Sequence, residues 1–139
     1  MNIKTIEKRL SLNAEMNGQV LIARNIYLYD HWESDLLTVS YNDRTTEYEI
    51  KRSRADFFAD FKKEEKHYKT SNGWGANYFY FACPEGLIKA DEIPEYAGLI
   101  YANSRTSYIK KKAPQLHNDL MSFKQLKKVA ERIYITKLR

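Results

Sequence analysis

The sequence predicts an α/β fold, a mixed central sheet flanked by helices, and three observations point there. A short amphipathic helix opens the chain, a run of three strand-like segments follows, and a further helix crosses over to more strands, an order that folds into a sheet between helical layers. The length, 139 residues with 43% hydrophobic content, suits one domain spanning 1–139 with a real core. Eleven tyrosines give that core and its margins many rings carrying a polar end.

The elements follow in order. Residues 3–14 place Ile3, Ile6, Leu10 and either Leu12 or Ala14 on one helical side, and Asn17-Gly18 closes that helix. Residues 19–29, rich in β-branched and aromatic side chains, read as a strand with an interruption point at Arg24-Asn25. Asp30-His31-Trp32 connects to the strand-like run 33–40, and the polar turn 41–47 leads into a second run, 48–52. His31 reads as an exposed loop side chain. Ser53-Arg54-Ala55-Asp56 is a capping-box pattern with aspartate for glutamate. The helix it starts runs to about Lys66, with Phe57, Phe58 and Phe61 inward and Asp56, Asp60, Lys63 and Glu64 in solvent.

From Lys66 to Gly75 the chain reads as a loop with two glycines. There Trp74 either packs over the sheet edge, the simpler reading, or stacks on a base or sugar while His67, Tyr68 and Lys69 meet a backbone. Residues 77–83 carry rings on both faces, as a central strand does. Residues 85–96 are acidic and loop-like, with a helical turn around Asp91. Strands at 99–102 and 107–110 flank a hairpin turn at 103–106. A helix over 119–137 turns Leu120, Phe123, Leu126 or Lys127, Val129 or Ala130, and Ile133 inward.

Composition and motifs exclude several functions. A Walker loop, a Gly-x-Gly-x-x-Gly turn, a paired-cysteine zinc signature and a serine nucleophile elbow are all missing, so NTP hydrolysis, dinucleotide redox chemistry and serine hydrolysis lack support. The single cysteine, Cys83, rules out an internal disulfide and suits a reducing cytoplasm. The start lacks an apolar run and no stretch approaches the length of a membrane span, so no membrane partner is expected. Charge is segregated: residues 1–50 carry five basic and eight acidic side chains, residues 110–139 nine basic and two acidic. An acidic region beside a basic tail suits a phosphate polymer near a cation site; Lys and Arg decorating an amphipathic helix is the plainer alternative.

The two runs 33–40 and 48–52 organise the rest. Side chains alternate along a strand, so Glu49 and Lys51 share one face while Ile50 anchors in the core. A reversal centred near Asn42-Asp43 sets Asp35 across from Ile50 or Lys51 and next to Glu49. Two carboxylates and an ammonium then converge, and a divalent cation, magnesium or manganese, relieves the repulsion between the acids. A bare Glu-x-Lys is common by chance in a chain with 29% charged residues. This one closes a strand, precedes a helix start and follows an aspartate on the preceding strand.

Asp35 followed by Glu49-x-Lys51 resembles the active-site signature of the restriction-endonuclease-like, or PD-(D/E)XK, nuclease superfamily. Residues 49–57, 78–84 and 97–100 look similar to a branch of small bacterial and phage proteins that includes MmcB-like DNA repair proteins. The resemblance covers a core of about residues 19–114, ahead of the basic C-terminal helix, and Ser34 stands where the superfamily name leads one to expect proline. It implies a magnesium- or manganese-dependent deoxyribonuclease of DNA repair or phage DNA processing. Asp35, Glu49 and the Ile50 carbonyl would be its metal ligands, and Lys51 would orient the attacking water. A further acidic ligand is common in the superfamily; Glu7 and Glu15 on the first helix, and Glu33, are the candidates. Arg52, Arg54, Lys69, Lys110, Lys111 and Lys112 are candidates for contact with DNA. A homodimer or larger nucleoprotein complex is the expected setting, and a nucleic-acid-binding or assembly module without catalysis is the alternative.

Overall fold

The computed structural model describes residues 1–29 and 31–138. Asp30, expected in the connection before the second strand, lies outside them. The order is α1 (Ile3–Met16), β1 (Gln19–Ile26), β2 (Ser34–Ser40), β3 (Thr45–Ile50), α2 (Arg54–Asp60), α3 (Glu64–Ser71), β4 (Tyr78–Pro84), a 3-10 turn (Ala90–Glu92), β5 (Gly98–Ala102), β6 (Ser107–Lys111) and α4 (Phe123–Leu138). The six strands form one mixed sheet in sequence order. β1 to β3 are joined antiparallel by short turns, β3, β4 and β5 run parallel, and β6 returns antiparallel. A parallel β3–β4 pair needs a crossover, which α2 and α3 supply.

Period-two alternation divides the sheet into two faces. One carries Leu36, Tyr48, Ile50, Tyr80, Ala82 and Ile100, and α1 covers it with Ile6 and Leu10. On the other, Phe79, Phe81, Leu99 and Tyr101 lie beneath Phe57 of α2 and Ile88 and Ile93 of the following loop. At the β1–β2 end of that same face, Ala23, Leu37 and Val39 pack against Val129 of α4.

Several boundaries differ from expectation. β3 begins at Thr45, so the turn before it is shorter and Glu47 is a strand residue. The helix expected to run to Lys66 breaks after Asp60 and restarts at Glu64, which puts Lys66, His67 and Lys69 in a helix instead of a loop. Ile3, Phe58, Leu120 and Phe123, expected inward, are exposed, Ala14 and not Leu12 is the buried alternative on α1, and α4 starts later, at Phe123. Ser53 caps α2 as expected, its hydroxyl accepting from the Asp56 N–H at 3.1 Å. Among the described residues no helix is long and apolar enough to cross a membrane.

Gly98 allows the close approach of β5 to its neighbours. A Cβ there would stand 2.4 Å from the Tyr80 ring and 2.6 Å from the Ala113 nitrogen, which itself donates to the Tyr80 hydroxyl at 3.2 Å. Gly98→Ala is therefore expected to destabilise the fold by about 1–3 kcal/mol, measured by urea unfolding; a change under 0.5 kcal/mol would refute the tight contact.

Candidate functional site

The site grows from the end of the β2–β3 hairpin. The ladder pairs Leu36 with Tyr48, so one further step sets Asp35 level with Glu49, one residue short of the expected Ile50. There the Asp35 carboxylate takes the place of a ladder partner: its Oδ2 accepts the Ile50 N–H at 2.8 Å. Ile50 faces the α1 side and Glu49 the other, as alternation requires. Lys51 follows, its Nζ 3.9 Å from Glu49 Oε2. The three residues expected to meet do meet.

Two further residues that solvent or loop assignments had hidden complete the site. Asp60, expected on the wet side of its helix, is 1% exposed, and Lys66 is 2% exposed. Asp60 Oδ1 accepts from Lys51 Nζ at 2.8 Å, and Oδ2 from Lys66 Nζ at 3.1 Å and lies 2.7 Å from His67 Nε2. Lys63 approaches Oδ1 at 3.2 Å from a half-exposed position. Lys66 also donates to Glu49 Oε1. His67 in turn meets the Tyr96 hydroxyl through Nδ1 at 2.7 Å. Beside them Glu47, fully buried, accepts from Trp32 Nε1 at 3.0 Å and the Ser34 hydroxyl at 2.7 Å, while its Oε1 has no partner. The alternation Glu47-Tyr48-Glu49-Ile50-Lys51 carries the signal for Glu47; Asp60 and Lys66 have none in the linear pattern.

The electrostatics follow from burial. Desolvation pushes Glu47 up to about 7 against the pull of Lys66, with Glu49 adding repulsion. Desolvation likewise raises Glu49 to about 7, where Lys66 opposes the shift and the adjoining Asp35 carboxylate reinforces it. Burial alone would raise Asp60 too, but the bond from His67 and the charges of Lys66 and Lys51 hold it well below the usual carboxylate range. Lys66 is pulled down by desolvation and carried up past its ordinary value by Glu49, Glu47 and Asp60, so it stays charged.

A cleft of about 600 Å³ reaches this cluster from solvent, lined by Tyr27, His31, Trp32, Glu33, Asp35 and residues 62–66. Asp35 lines it, and Glu49 adjoins Asp35. Asp35 and Glu49 are hard oxygen donors that repel each other, and among the described residues no group of three or more His, Cys, Asp or Glu is arranged to hold an ion. Magnesium is ordinarily held by one or two carboxylates, with water and substrate phosphate completing its shell. Glu49 Oε1 is shared with Lys66, which leaves Oε2 for a cation.

The other candidates are dispersed. Glu7 pairs with Arg24 at 2.9 Å on α1, which covers the opposite face of the sheet, and Glu15 is exposed on the same helix. Only Glu33 lines the cleft with Asp35; Asn25 donates to it at 3.3 Å. Arg54 is tied to Glu92 at 2.7 and 2.9 Å, and Arg52 is exposed beyond β3. Lys69 pairs with Glu65 at 2.9 Å. Lys110, Lys111 and Lys112 end β6, three strands from β3 and so roughly 14 Å away. Lys111 is spent on the Pro94 carbonyl at 2.8 Å.

No family model matches the chain, and no curated protein matches it. A solved structure, that of a protein of unknown function from Silicibacter pomeroyi, is similar with a TM-score of 0.72 and 18% identity, over 98% of this chain and 86% of that chain. At that identity the likeness is one of fold.

Two outcomes test these electrostatics. Asp60→Asn strands Lys66 and Lys51 without their shared counter-charge and is expected to cost about 3–5 kcal/mol in urea unfolding; a loss below 1 kcal/mol would dismiss the network. Glu47 and Glu49 bind protons more tightly folded than unfolded, so stability should fall as pH rises from about 4.5 to about 7 and level off above it. Glu47→Gln should flatten part of that fall and raise stability at pH 7.5 by about 1–3 kcal/mol. A Tm profile unchanged by this substitution would show that Glu47 does not titrate in this range.

Proposed function

We propose that the chain is a metal-dependent nuclease that hydrolyses phosphodiester bonds in DNA, in line with its resemblance to the PD-(D/E)XK superfamily. The carrying observation is the convergence of Asp35, Glu49 and Lys51 at one hairpin end, with Lys51 Nζ 3.9 Å from Glu49 Oε2. Magnesium or manganese, held by Asp35, Glu49 and the Ile50 carbonyl, would supply an acidified water and neutralise charge on the phosphate. Lys51, steadied by Asp60 at 2.8 Å, would orient the attacking water and lend its ammonium to the oxygen on which charge develops. Lys66 holds Glu49 in one orientation through Oε1, so that Oε2 stays turned towards Lys51. Asp35 lines the cleft, open to solvent on that side. A cytoplasmic setting, in which the buried Cys83 thiol stays reduced, goes with this reading.

One observation favours a second reading, a nucleic-acid-binding module without catalysis: the Lys66 ammonium already pairs with the Glu49 carboxylate and takes one of its two oxygens. DNA incubated with magnesium or manganese separates the two. Cleavage is expected, with Asp35→Ala, Glu49→Ala and Lys51→Ala each slowing it roughly a hundredfold or more while circular dichroism stays native. Steeply salt-dependent binding in EDTA with no cleavage in any divalent metal would overturn the nuclease and leave the module.

A further inference from the structure

A second groove, which the cleavage chemistry does not use, opens beside the acid cleft. It encloses about 440 Å³ between α3, the Gly73-Trp74-Gly75 turn and the start of α4. Lys69 enters it from α3, and Lys124 and Lys128 from one side of α4, four residues apart. Among the described residues that line it, none is acidic. Lys69 also pairs with Glu65 at 2.9 Å, which fixes its ammonium between groove and cleft.

Trp74 stands at the groove 60% exposed, on a turn held from both sides. Gly73 has φ +81°, and the Leu116 carbonyl oxygen lies 2.9 Å from where a Cβ would sit. The Trp74 N–H donates to the Lys69 carbonyl at 2.9 Å, and His117 Nε2 meets the Gly75 carbonyl at 2.7 Å. The ring rests edge-on against Tyr68, itself 61% exposed, at 5.8 Å. A large apolar ring held rigidly in water, next to three ammonium groups, has the composition of a single-strand site. A base stacks on the ring and the neighbouring phosphates pair with the lysines, whereas a duplex hides its base faces.

Groove and cleft are neighbours. Glu65 lines the cleft and Lys69 the groove, four residues apart on α3, or ~6 Å along its axis. The β1–β2 connection likewise gives Tyr29 to the groove and His31 to the cleft.

We propose that this groove binds single-stranded nucleic acid, stacking a base on Trp74 and clamping phosphates with Lys69, Lys124 and Lys128, and leads the strand to Asp35. What happens to the strand at Asp35 rests on the nuclease reading; the binding does not. The test is a fluorescence titration of the full chain with short oligothymidylate in EDTA, with the matching duplex alongside. The chain has two tryptophans, and Trp32 lines the cleft, so a Trp32→Phe variant is what assigns quenching to Trp74. The single strand should quench the wild-type protein and a Trp32→Phe variant. Trp74→Ala should bind it at least tenfold more weakly. Lys124→Ala/Lys128→Ala should weaken binding and lower the slope of log K against log salt by about one. Unchanged affinity in both variants, or duplex bound as tightly as single strand, would overturn the groove. Single strand held through Trp74 but never cut in magnesium or manganese would keep the groove and end the nuclease. Cutting that Trp74→Ala leaves untouched, together with its unchanged binding, would do the reverse.

Discussion

The Asp60 carboxylate is the point on which the rest of the site depends. A buried carboxylate is costly unless its lone pairs are filled and its charge is met, and here four cationic or hydrogen-bonding groups converge on it. That requirement shapes the crossover. In an unbroken helix Lys66 would lie roughly 120° around the axis from Asp60 and could not share its carboxylate. The turn at residues 61–63 re-aims the chain, so that Lys66 and His67 come back on to Asp60. Lys51, one end of the sheet motif, is thereby clamped to the helical layer, and its ammonium stays beside Glu49.

The acids and cations come from different layers. Asp35, Glu47 and Glu49 are carried by strands, where backbone pairing fixes them, and Asp35 is fixed a second time by the Ile50 N–H. Lys63 and Lys66 arrive on the helical side. Burial raises both Glu47 and Glu49 above the usual carboxylate range, so the strand side of the cluster holds protons more tightly than exposed acids would.

Much of this was legible in the chain, and the misses have physical reasons. Alternation and turn position brought Asp35, Glu49 and Lys51 together to within one residue of register, because a hairpin's pairing follows from the turn that closes it. Asp60 was assigned to solvent because helical periodicity sorts by polarity, and a buried ion network has the same polarity as a wetted face. The α2–α3 break carries no glycine or proline, so nothing in Phe61-Lys62-Lys63 announces it. The segregation of charge was real, but a sum over residues 110–139 cannot separate Lys110–Lys112, on the far edge of the sheet, from Lys124 and Lys128 beside Trp74.

That last separation bears on how an acidic site can admit a polyanion at all. Bare carboxylates on a hairpin end would repel a phosphate backbone, and a metal alone would have to overcome that repulsion at every encounter. Lys62, Lys63 and Lys66 line this cleft together with four acids, Glu33, Asp35, Glu64 and Glu65. The approach is therefore nearly balanced in charge, while the groove one helical turn away is basic. On the proposed reading an incoming backbone would be drawn first to the groove and would meet the acids where lysines largely offset them. That reading would assign long-range attraction and the short-range grip on a cation to different surfaces, so that neither has to weaken the other.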